Sequence, residues 1–97
     1  FAEGRKMLLE SIERLGSLNA ASKELGMSYR AAWGKIKATE KVLGIKLLNV
    51  ATGGKGGGGA TLTPEARELI SKYKQYTDRM TFLVEKEFKH IFGSKKS

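Results

Sequence analysis

The amino-acid sequence predicts a mainly α-helical chain with one small β-hairpin and a long C-terminal helix. Apolar residues recur at spacings of three and four before residue 44 and again after residue 63, which is the periodicity of one helix face. Between these regions, two short stretches with β-branched residues flank a glycine-rich segment, which is typical of a hairpin. The chain has 97 residues, so we expect residues 1–97 to form one domain with a modest core.

The first helix is expected over Glu3–Leu15. Its apolar positions recur at helical spacing and would face the core, while the charged positions between them would face water. The predicted core stripe consists of Met7, Leu8, Ile12 and Leu15. Gly16 and Ser17 follow directly, and this pair favours the end of one helix and the start of the next.

Residues 17–43 carry two short helical patterns that meet at a tight break over residues 25–28. Ser17 and Ser28 can each cap a helix by accepting hydrogen bonds from backbone N–H groups, and Gly26 lies where a left-handed residue favours a helix end. The apolar positions are Leu18, Ala21 and Leu25 before the break and Ala32, Ile36, Thr39 and Leu43 after it. Two short helices joined by a glycine-containing turn predict a helix-turn-helix. On this stretch alone, an ordinary helical hairpin inside a core stays open as the alternative.

Residues 45–63 predict a wing. Residues 45–50 have β-branched ends and read as a strand, with residues 60–63 as its antiparallel return. Residues 51–59 are mostly glycine with Lys55 in the middle, which favours a mobile tip or a backbone that approaches something closely. After a helix-turn-helix, such a hairpin would lay backbone amides and Lys55 against a phosphate strand or into a minor groove.

The last helix is expected over residues 64–92, capped by Thr63 and started by Pro64. It would be about 40 Å long, which exceeds what a small core can cover. The alternative, packing against the first helix, suits its near end only, whereas its far end carries too much apolar surface to leave wet. We therefore expect a second copy of the chain as the partner of this dimerisation helix. The predicted homodimer interface consists of Leu69, Tyr73, Tyr76, Met80, Leu83, Val84 and Phe88.

The charge predicts a polyanionic partner. Lys plus Arg is 18 and Asp plus Glu is 10, so the net charge is +8. The excess falls between residues 27 and 55, where the only acid is Glu40. This concentration on one helix and its wing favours double-stranded DNA over a membrane surface. No apolar run approaches membrane-spanning length, and the absence of cysteine fits a reducing compartment, so we expect a cytoplasmic protein without a membrane partner.

The second helix of the helix-turn-helix is the predicted recognition helix. Its N-terminal residues would enter the major groove first. The predicted DNA contacts are Ser28, Tyr29, Arg30, Trp33 and Lys37, with Lys55 in the wing. Arg30 can fork onto a guanine, and Lys37 would meet phosphate. Trp33 has two interpretations, because a lone tryptophan is also common as partly buried packing; the apolar stripe is complete without it, which favours the DNA-facing one.

No catalytic, metal or cofactor site is predicted, and we expect a protein that is not an enzyme. The glycine run matches a dinucleotide-binding fingerprint only trivially, because it lacks the helix that should follow at once. His90 is the only histidine and has no second ligand or nucleophile at useful spacing.

Residues 8–48 and 62–70 resemble the winged helix-turn-helix of LysR-type regulators, through the Gly16-Ser17-Leu18 start, the Leu43-Gly44 pair and Leu62-Thr63. The stretch SYRAAW at residues 28–33 and the glycine-rich stretch ATGGKGGGGA at residues 51–60 are more specifically similar to the DNA-binding domain of the ModE family of molybdate-responsive regulators. This resemblance implies a bacterial or archaeal transcription factor that binds operators as a homodimer. In that family, separate C-terminal domains sense molybdate, and we expect this chain alone not to bind molybdate tightly.

One rival interpretation belongs to another class. A basic winged helix could dimerise through its last helix and bind proteins without sequence-specific DNA binding. Titration with duplex DNA distinguishes the two, because only a regulator shows a sequence-dependent component. A small-anion sensor is a third and weaker interpretation.

Overall fold

The computed structural model describes residues 3–51 and 59–93. The order of elements is α1 (Glu3–Leu15), α2 (Leu18–Glu24), α3 (Tyr29–Leu43), β1 (Leu48–Val50), β2 (Ala60–Leu62) and α4 (Pro64–Phe92). The predicted fold class is confirmed: the chain is mainly α-helical, has an antiparallel hairpin after the helix-turn-helix, and ends its described part in a long helix.

The predicted helix boundaries follow local chemistry. The Ser17 hydroxyl accepts from the Ala20 N–H and the Ser28 hydroxyl from the Ala31 N–H, each at 3.0 Å. Gly26 adopts a left-handed φ of +72° in the turn between α2 and α3, where L side chains are strained. The helix-turn-helix therefore comes from two serine caps and a glycine break, as the sequence indicates.

The hairpin is shorter than expected at its open end, because β1 begins at Leu48 and β2 ends at Leu62, whereas its loop end lies at Val50 and Ala60 as expected. Leu48 pairs with Leu62 and Val50 with Ala60, but the ladder does not continue to Leu47 and Thr63 as a full pair. The Leu47 N–H donates to Glu40 Oε2 at 2.8 Å, and the Thr63 carbonyl accepts from the Arg67 N–H at 3.1 Å inside α4. Both groups that would extend the ladder are thus already used, which ends it.

The core lies between the helix-turn-helix, α1 and the hairpin. Its buried apolar residues are Leu8, Leu9, Ile12, Leu18, Ala21, Ala32, Ile36, Leu47, Leu48, Ala60, Leu62 and Ala66. The α1 stripe expected from the sequence was partly wrong, because Met7 is 47% and Leu15 39% exposed. Leu9 and Ser11 are buried instead, since α1 packs against α2 and β2 together and buries a wider, rotated face. Leu43 is also more exposed than expected, and Ile45 packs against the core just beyond it.

The helix α4 leaves this core after its first turns. Ala66 is fully buried, and Leu69 and Ile70 pack against the core in part. Arg67 Nε donates to Glu13 Oε2 at 2.7 Å, so the near end also contacts α1. From residue 78 to residue 92 every side chain is exposed. The molecule is therefore elongated, with extents of 61 × 27 × 19 Å.

Candidate nucleic-acid interface

The outward face of α3 begins directly at the Ser28 cap. Tyr29, Arg30 and Lys37 are exposed on this face, and Trp33 is half-buried beside them. Arg30 forms no ion pair with any acid in the part of the chain that the structure describes. An arginine held at the front of a helix with its guanidinium unpaired keeps all its donors for an external acceptor.

Tyr29, Trp33 and Lys37 form a row along α3, one turn apart. Trp33 Nε1 donates to the Tyr29 hydroxyl oxygen at 2.8 Å, and Lys37 Nζ lies 4.9 Å from the centroid of the Trp33 ring. The phenol oxygen therefore accepts from inside the protein, which leaves its own proton available for an acceptor outside. The row is ordered by these contacts before any ligand arrives.

The structure gives Trp33 a part in both interpretations that the sequence left open. One side of the ring packs against the hydrophobic core, which the sequence did not indicate because the apolar stripe looked complete without it. The indole N–H is used by Tyr29, so only the remaining ring surface can meet a ligand. Trp33 thus supports the outward face of α3 from the core side and also contributes ring surface to that face.

Sequence reasoning missed Glu40 as a member of this site. Glu40 Oε1 lies 3.4 Å from Lys37 Nζ, while Glu40 Oε2 accepts from the Leu47 N–H at 2.8 Å. The signal was present in the sequence, because Glu40 is the one acid in a basic stretch. Its side chain connects α3 to Leu47, the residue before β1, at the open end of the hairpin.

The loop end of the hairpin is tied to the start of the helix-turn-helix. The Ala60 N–H donates to the Gly16 carbonyl at 3.0 Å, and the Ala51 N–H donates to the Gly59 carbonyl at 2.9 Å. These bonds join the two strands next to the loop and hold the start of β2 beside the start of α2. Lys55, the predicted wing contact, lies outside the described residues.

A polar cluster joins α1 to α2, at a place remote from the outward face of α3. The Ser11 hydroxyl and the Arg14 guanidinium both donate to Glu24 Oε1. These donors lower the pKa of the Glu24 carboxyl below its ordinary value, the Ser11 hydrogen bond most strongly. The cluster therefore favours a charged Glu24 and links the two helices that precede α3.

Membrane-spanning helices and clusters of metal ligands are both absent from the described residues. Between residues 3 and 51 and between 59 and 93, no helix has the length and apolarity needed to cross a membrane. In the same ranges, His, Asp and Glu side chains do not gather in groups of three that could hold a metal ion.

Comparison with protein families decides the class of the chain. The model described as "Bacterial regulatory helix-turn-helix protein, lysR family" matches residues 7–67, which include the helix-turn-helix and the hairpin. The chain belongs to this family. The matched residues are accordingly those of a regulatory helix-turn-helix and not of an enzyme.

The curated relatives of this LysR-family chain include a molybdenum-pterin-binding protein and a DNA-binding transcriptional regulator. It is 46% identical to the molybdenum-pterin-binding protein MopB of Rhodobacter capsulatus over 69 residues, which are 71% of this chain and 26% of MopB. It is 42% identical to the DNA-binding transcriptional dual regulator ModE of Escherichia coli K12 over 74 residues, 75% of this chain and 28% of ModE. The chain thus spans about a quarter of the length of the curated relatives it matches.

Solved structures confirm the fold. The DNA-binding domain of CbnR, in a crystal structure of its DNA complex, matches with a TM-score of 0.65 at 17% identity, covering 90% of this chain and 94% of that one. ArgP from Mycobacterium tuberculosis matches with a TM-score of 0.60 at 19% identity, covering 89% of this chain and 30% of that one.

Proposed function

We propose that this LysR-family chain is the sequence-specific, double-stranded DNA-binding part of a transcriptional regulator. The observation that carries the proposal is the outward face of α3, which begins at a capped turn and exposes Tyr29 and an Arg30 without a described ion-pair partner. The similarity to ModE, whose name describes a DNA-binding transcriptional regulator, supports it. Residues 17–43 would read DNA, residues 45–63 would form the wing, and residues 64–92 would join two copies.

In this proposal α3 enters the major groove with its first turn foremost. Ser28, Tyr29 and Arg30 would lie nearest the bases. Arg30 would fork onto the O6 and N7 acceptors of a guanine, and the Trp33 ring surface would contact a thymine methyl. Lys37, one turn further along the helix, would bind a phosphate and set the position of α3 without reading sequence.

The wing would supply a second phosphate contact through Lys55. What supports this proposal is the loop end of the hairpin, where the Ala60 N–H donates to the Gly16 carbonyl and so holds the start of β2 beside the helix-turn-helix. A lysine in a glycine-rich segment can approach a phosphate strand closely, because the neighbouring residues have no side chains to prevent it.

We further propose that the chain acts in the cytoplasm as a homodimer joined by α4. The support is the apolar surface beyond the core, where Tyr76, Met80, Leu83, Val84 and Phe88 are all exposed in the single chain. Leu69 and Tyr73, closer to the core, are half-buried and would complete the interface. Isolated exposed apolar residues are ordinary, but a continuous stripe marks an interaction surface.

The experiment that tests the function is selection of bound sites from random duplex DNA, followed by titration of the best site against a scrambled duplex of equal length. A regulator binds its selected site at least about a thousandfold more tightly than random DNA at physiological salt. A protein-binding winged helix would bind both duplexes alike, with a strong salt dependence. Calorimetric titration with molybdate separates the third interpretation, because the proposed function requires no oxyanion binding by this chain.

A further inference from the structure

Glu40 uses both carboxylate oxygens on neighbouring functional elements. Its side chain is only 17% exposed, although it belongs to the most basic part of the chain. Oε2 accepts from the N–H of Leu47 at 2.8 Å, and Leu47 is the residue directly before β1. Oε1 lies 3.4 Å from Nζ of Lys37, which is 66% exposed. A partly buried acid in a DNA-facing basic segment costs affinity for a polyanion, so its position calls for a role.

The bond to Leu47 determines how the hairpin leaves α3. Leu47 is completely buried, and its carbonyl accepts from the Thr63 N–H at 3.0 Å. Thr63 Oγ1 in turn donates to the Lys46 carbonyl at 2.6 Å and accepts from the Ala66 N–H at 3.0 Å. Glu40 is therefore the α3 end of a short chain of hydrogen bonds that reaches the first turn of α4.

The contact with Lys37 holds a cation that would otherwise be available to DNA. Lys37 Nζ contacts both Glu40 Oε1 and the Trp33 ring. Each contact favours a position of the ammonium group close to α3 over one extended toward DNA. A lysine that binds a phosphate has to give up at least part of the Glu40 contact. The ion pair is long and its lysine is 66% exposed, so the contact is weak and restrains Lys37 without immobilising it.

We propose that Glu40 is a positioning residue for DNA binding, which orients the wing through one oxygen and withholds Lys37 from phosphate through the other. This proposal rests on the proposed function, since it concerns the same surface. Its two halves affect different quantities. Withholding Lys37 lowers affinity for every duplex, because phosphate contacts carry no sequence information. Orienting the wing improves affinity only where α3 is seated on its site.

Two substitutions at Glu40 separate these halves. Glu40→Gln keeps an oxygen for the Leu47 N–H but loses the charge that holds Lys37. We expect affinity for random duplex to rise about two- to fivefold, the range of an exposed ion pair, and the salt dependence to steepen by up to about one unit. Glu40→Ala loses both contacts, so we expect the same gain on random duplex together with a fall of about threefold or more in the ratio of selected-site to random affinity.

A double-mutant cycle with Lys37→Met tests the route through Lys37. In the Lys37→Met background, Glu40→Gln should change random-duplex affinity little, because no lysine is left to release. An equal gain in both backgrounds would mean that the negative charge of Glu40 acts at long range, and would overturn the Lys37 half. The matched control for the loss of one negative charge is Glu13→Gln, because Glu13 lies on α1 and pairs with Arg67 of α4, away from Lys37.

Amide hydrogen exchange tests the wing half without DNA. The Leu47 amide should stay protected in Glu40→Gln and exchange at least about tenfold faster in Glu40→Ala, because only alanine removes the acceptor. Protection that is unchanged in Glu40→Ala would overturn the tether. If the parent chain prefers no DNA sequence, the proposed function fails, but the exchange data and the random-duplex cycle still decide whether Glu40 holds Leu47 and Lys37.

Discussion

Tyr29 and Trp33 on α3 and Phe88 and Phe92 on α4 are all aromatic residues with exposed surface, yet their surroundings differ. Trp33 packs against the core and gives its N–H to Tyr29, so the α3 pair has polar and apolar partners within the chain. Phe88 and Phe92 stack on each other with ring centroids 4.6 Å apart, and both remain more than half exposed. The α3 pair already has its packing and hydrogen-bond partners within the single chain, whereas the far end of α4 exposes apolar side chains that would form a core only with a second apolar surface.

The charges of the two regions differ in the same way. Between residues 27 and 55 a single acid faces an excess of bases, while α4 pairs its charges along its own length, as in Lys72–Glu68 and Lys74–Asp78. A one-sign surface suits a polyanion, and a neutralised helix with an apolar stripe suits another apolar surface. The comparison teaches that exposed aromatic residues indicate a partner only together with their polar neighbours.

The largest expected effect comes from disrupting the proposed interface on α4. Leu83→Glu puts a charge into the proposed seam, and we expect monomers and a loss of about 100-fold or more in operator affinity, since two linked half-site contacts become single ones. Sedimentation velocity measures the assembly and fluorescence anisotropy measures the binding. Gln75→Glu adds the same charge on the opposite face of α4 and should leave the dimer intact. A parent chain that is monomeric at tens of micromolar would contradict the interface.

The second prediction tests the α3 side. Arg30→Ala should cost about 1–3 kcal/mol on the best site and relax the preference at one base pair in each half-site, because a bidentate guanine contact is lost. Competition over every single-base variant of the operator measures both effects. Arg79→Ala, an exposed arginine on α4, is the control for charge alone. If Arg30→Ala and the parent rank the variants identically, Arg30 binds phosphate and the reading face lies elsewhere.

The third prediction asks whether the wing behaves as a phosphate contact. Lys55→Ala should weaken binding to all sequences about equally and lower the salt slope by about one unit, because a phosphate contact positions the protein without reading bases. Titrations of selected and random duplexes at several salt concentrations measure this. An effect limited to one base pair would instead make Lys55 a base-reading residue.

The fourth prediction sharpens the contrast between partnered and open aromatic residues. Tyr29→Phe removes the acceptor of the Trp33 N–H and the outward hydroxyl donor. We expect a loss of about 0.5–1.5 kcal/mol in operator affinity, the value of one hydrogen bond. The emission of Trp33, the chain's one tryptophan, should shift even without DNA. An unchanged emission spectrum would show that the Tyr29–Trp33 bond does not persist in solution.

The smallest effect concerns stability. The lowered pKa of Glu24, caused first by the Ser11 hydroxyl and then by Arg14, stabilises the fold at pH values above the unfolded-state pKa of about 4.3. This contribution is lost as the pH falls through the lower folded-state pKa. We therefore expect the parent to lose more stability than Glu24→Gln between about pH 5 and 3 in denaturant titrations. Glu68→Gln, on α4 outside the cluster, is the control, and equal losses in parent and Glu24→Gln would refute the assignment.

The parts of this structure that the sequence predicted are those set by neighbouring residues. Each of three helices is capped by the residue just before it, whose side chain accepts from the backbone N–H three residues further on: Ser17, Ser28 and Thr63. Gly26 follows the end of α2 with a left-handed φ. All four features are local, so the sequence alone predicts them. Most of the predicted α3 face is exposed for the same reason, since helical periodicity fixes it.

The features that the sequence did not predict depend on distant contacts. Leu9 replaces Met7 in the core because α1 packs against two elements, and periodicity alone does not indicate how they are placed. The Glu40–Leu47 bond and the Arg5–Thr39 bond, at 3.0 Å, join residues far apart in sequence. The first of these, together with the use of the Thr63 carbonyl inside α4, shortens the hairpin, so a missed side-chain contact helped to change a backbone boundary.

The two hydrogen bonds at the loop end of the hairpin have a consequence for protein engineering. Ala51 and Gly59 are joined by a backbone hydrogen bond, and Ala60 is bonded to Gly16, so the residues between them connect two points that the fold holds fixed. Doubling the length of such a connection costs only about 0.6 kcal/mol in closure entropy. The segment 52–58 is therefore an exchangeable cassette, into which a designed sequence can be grafted without disturbing α3. Gly59 is the limit of the cassette, because a Cβ there would meet the Gly16 carbonyl oxygen at 3.2 Å.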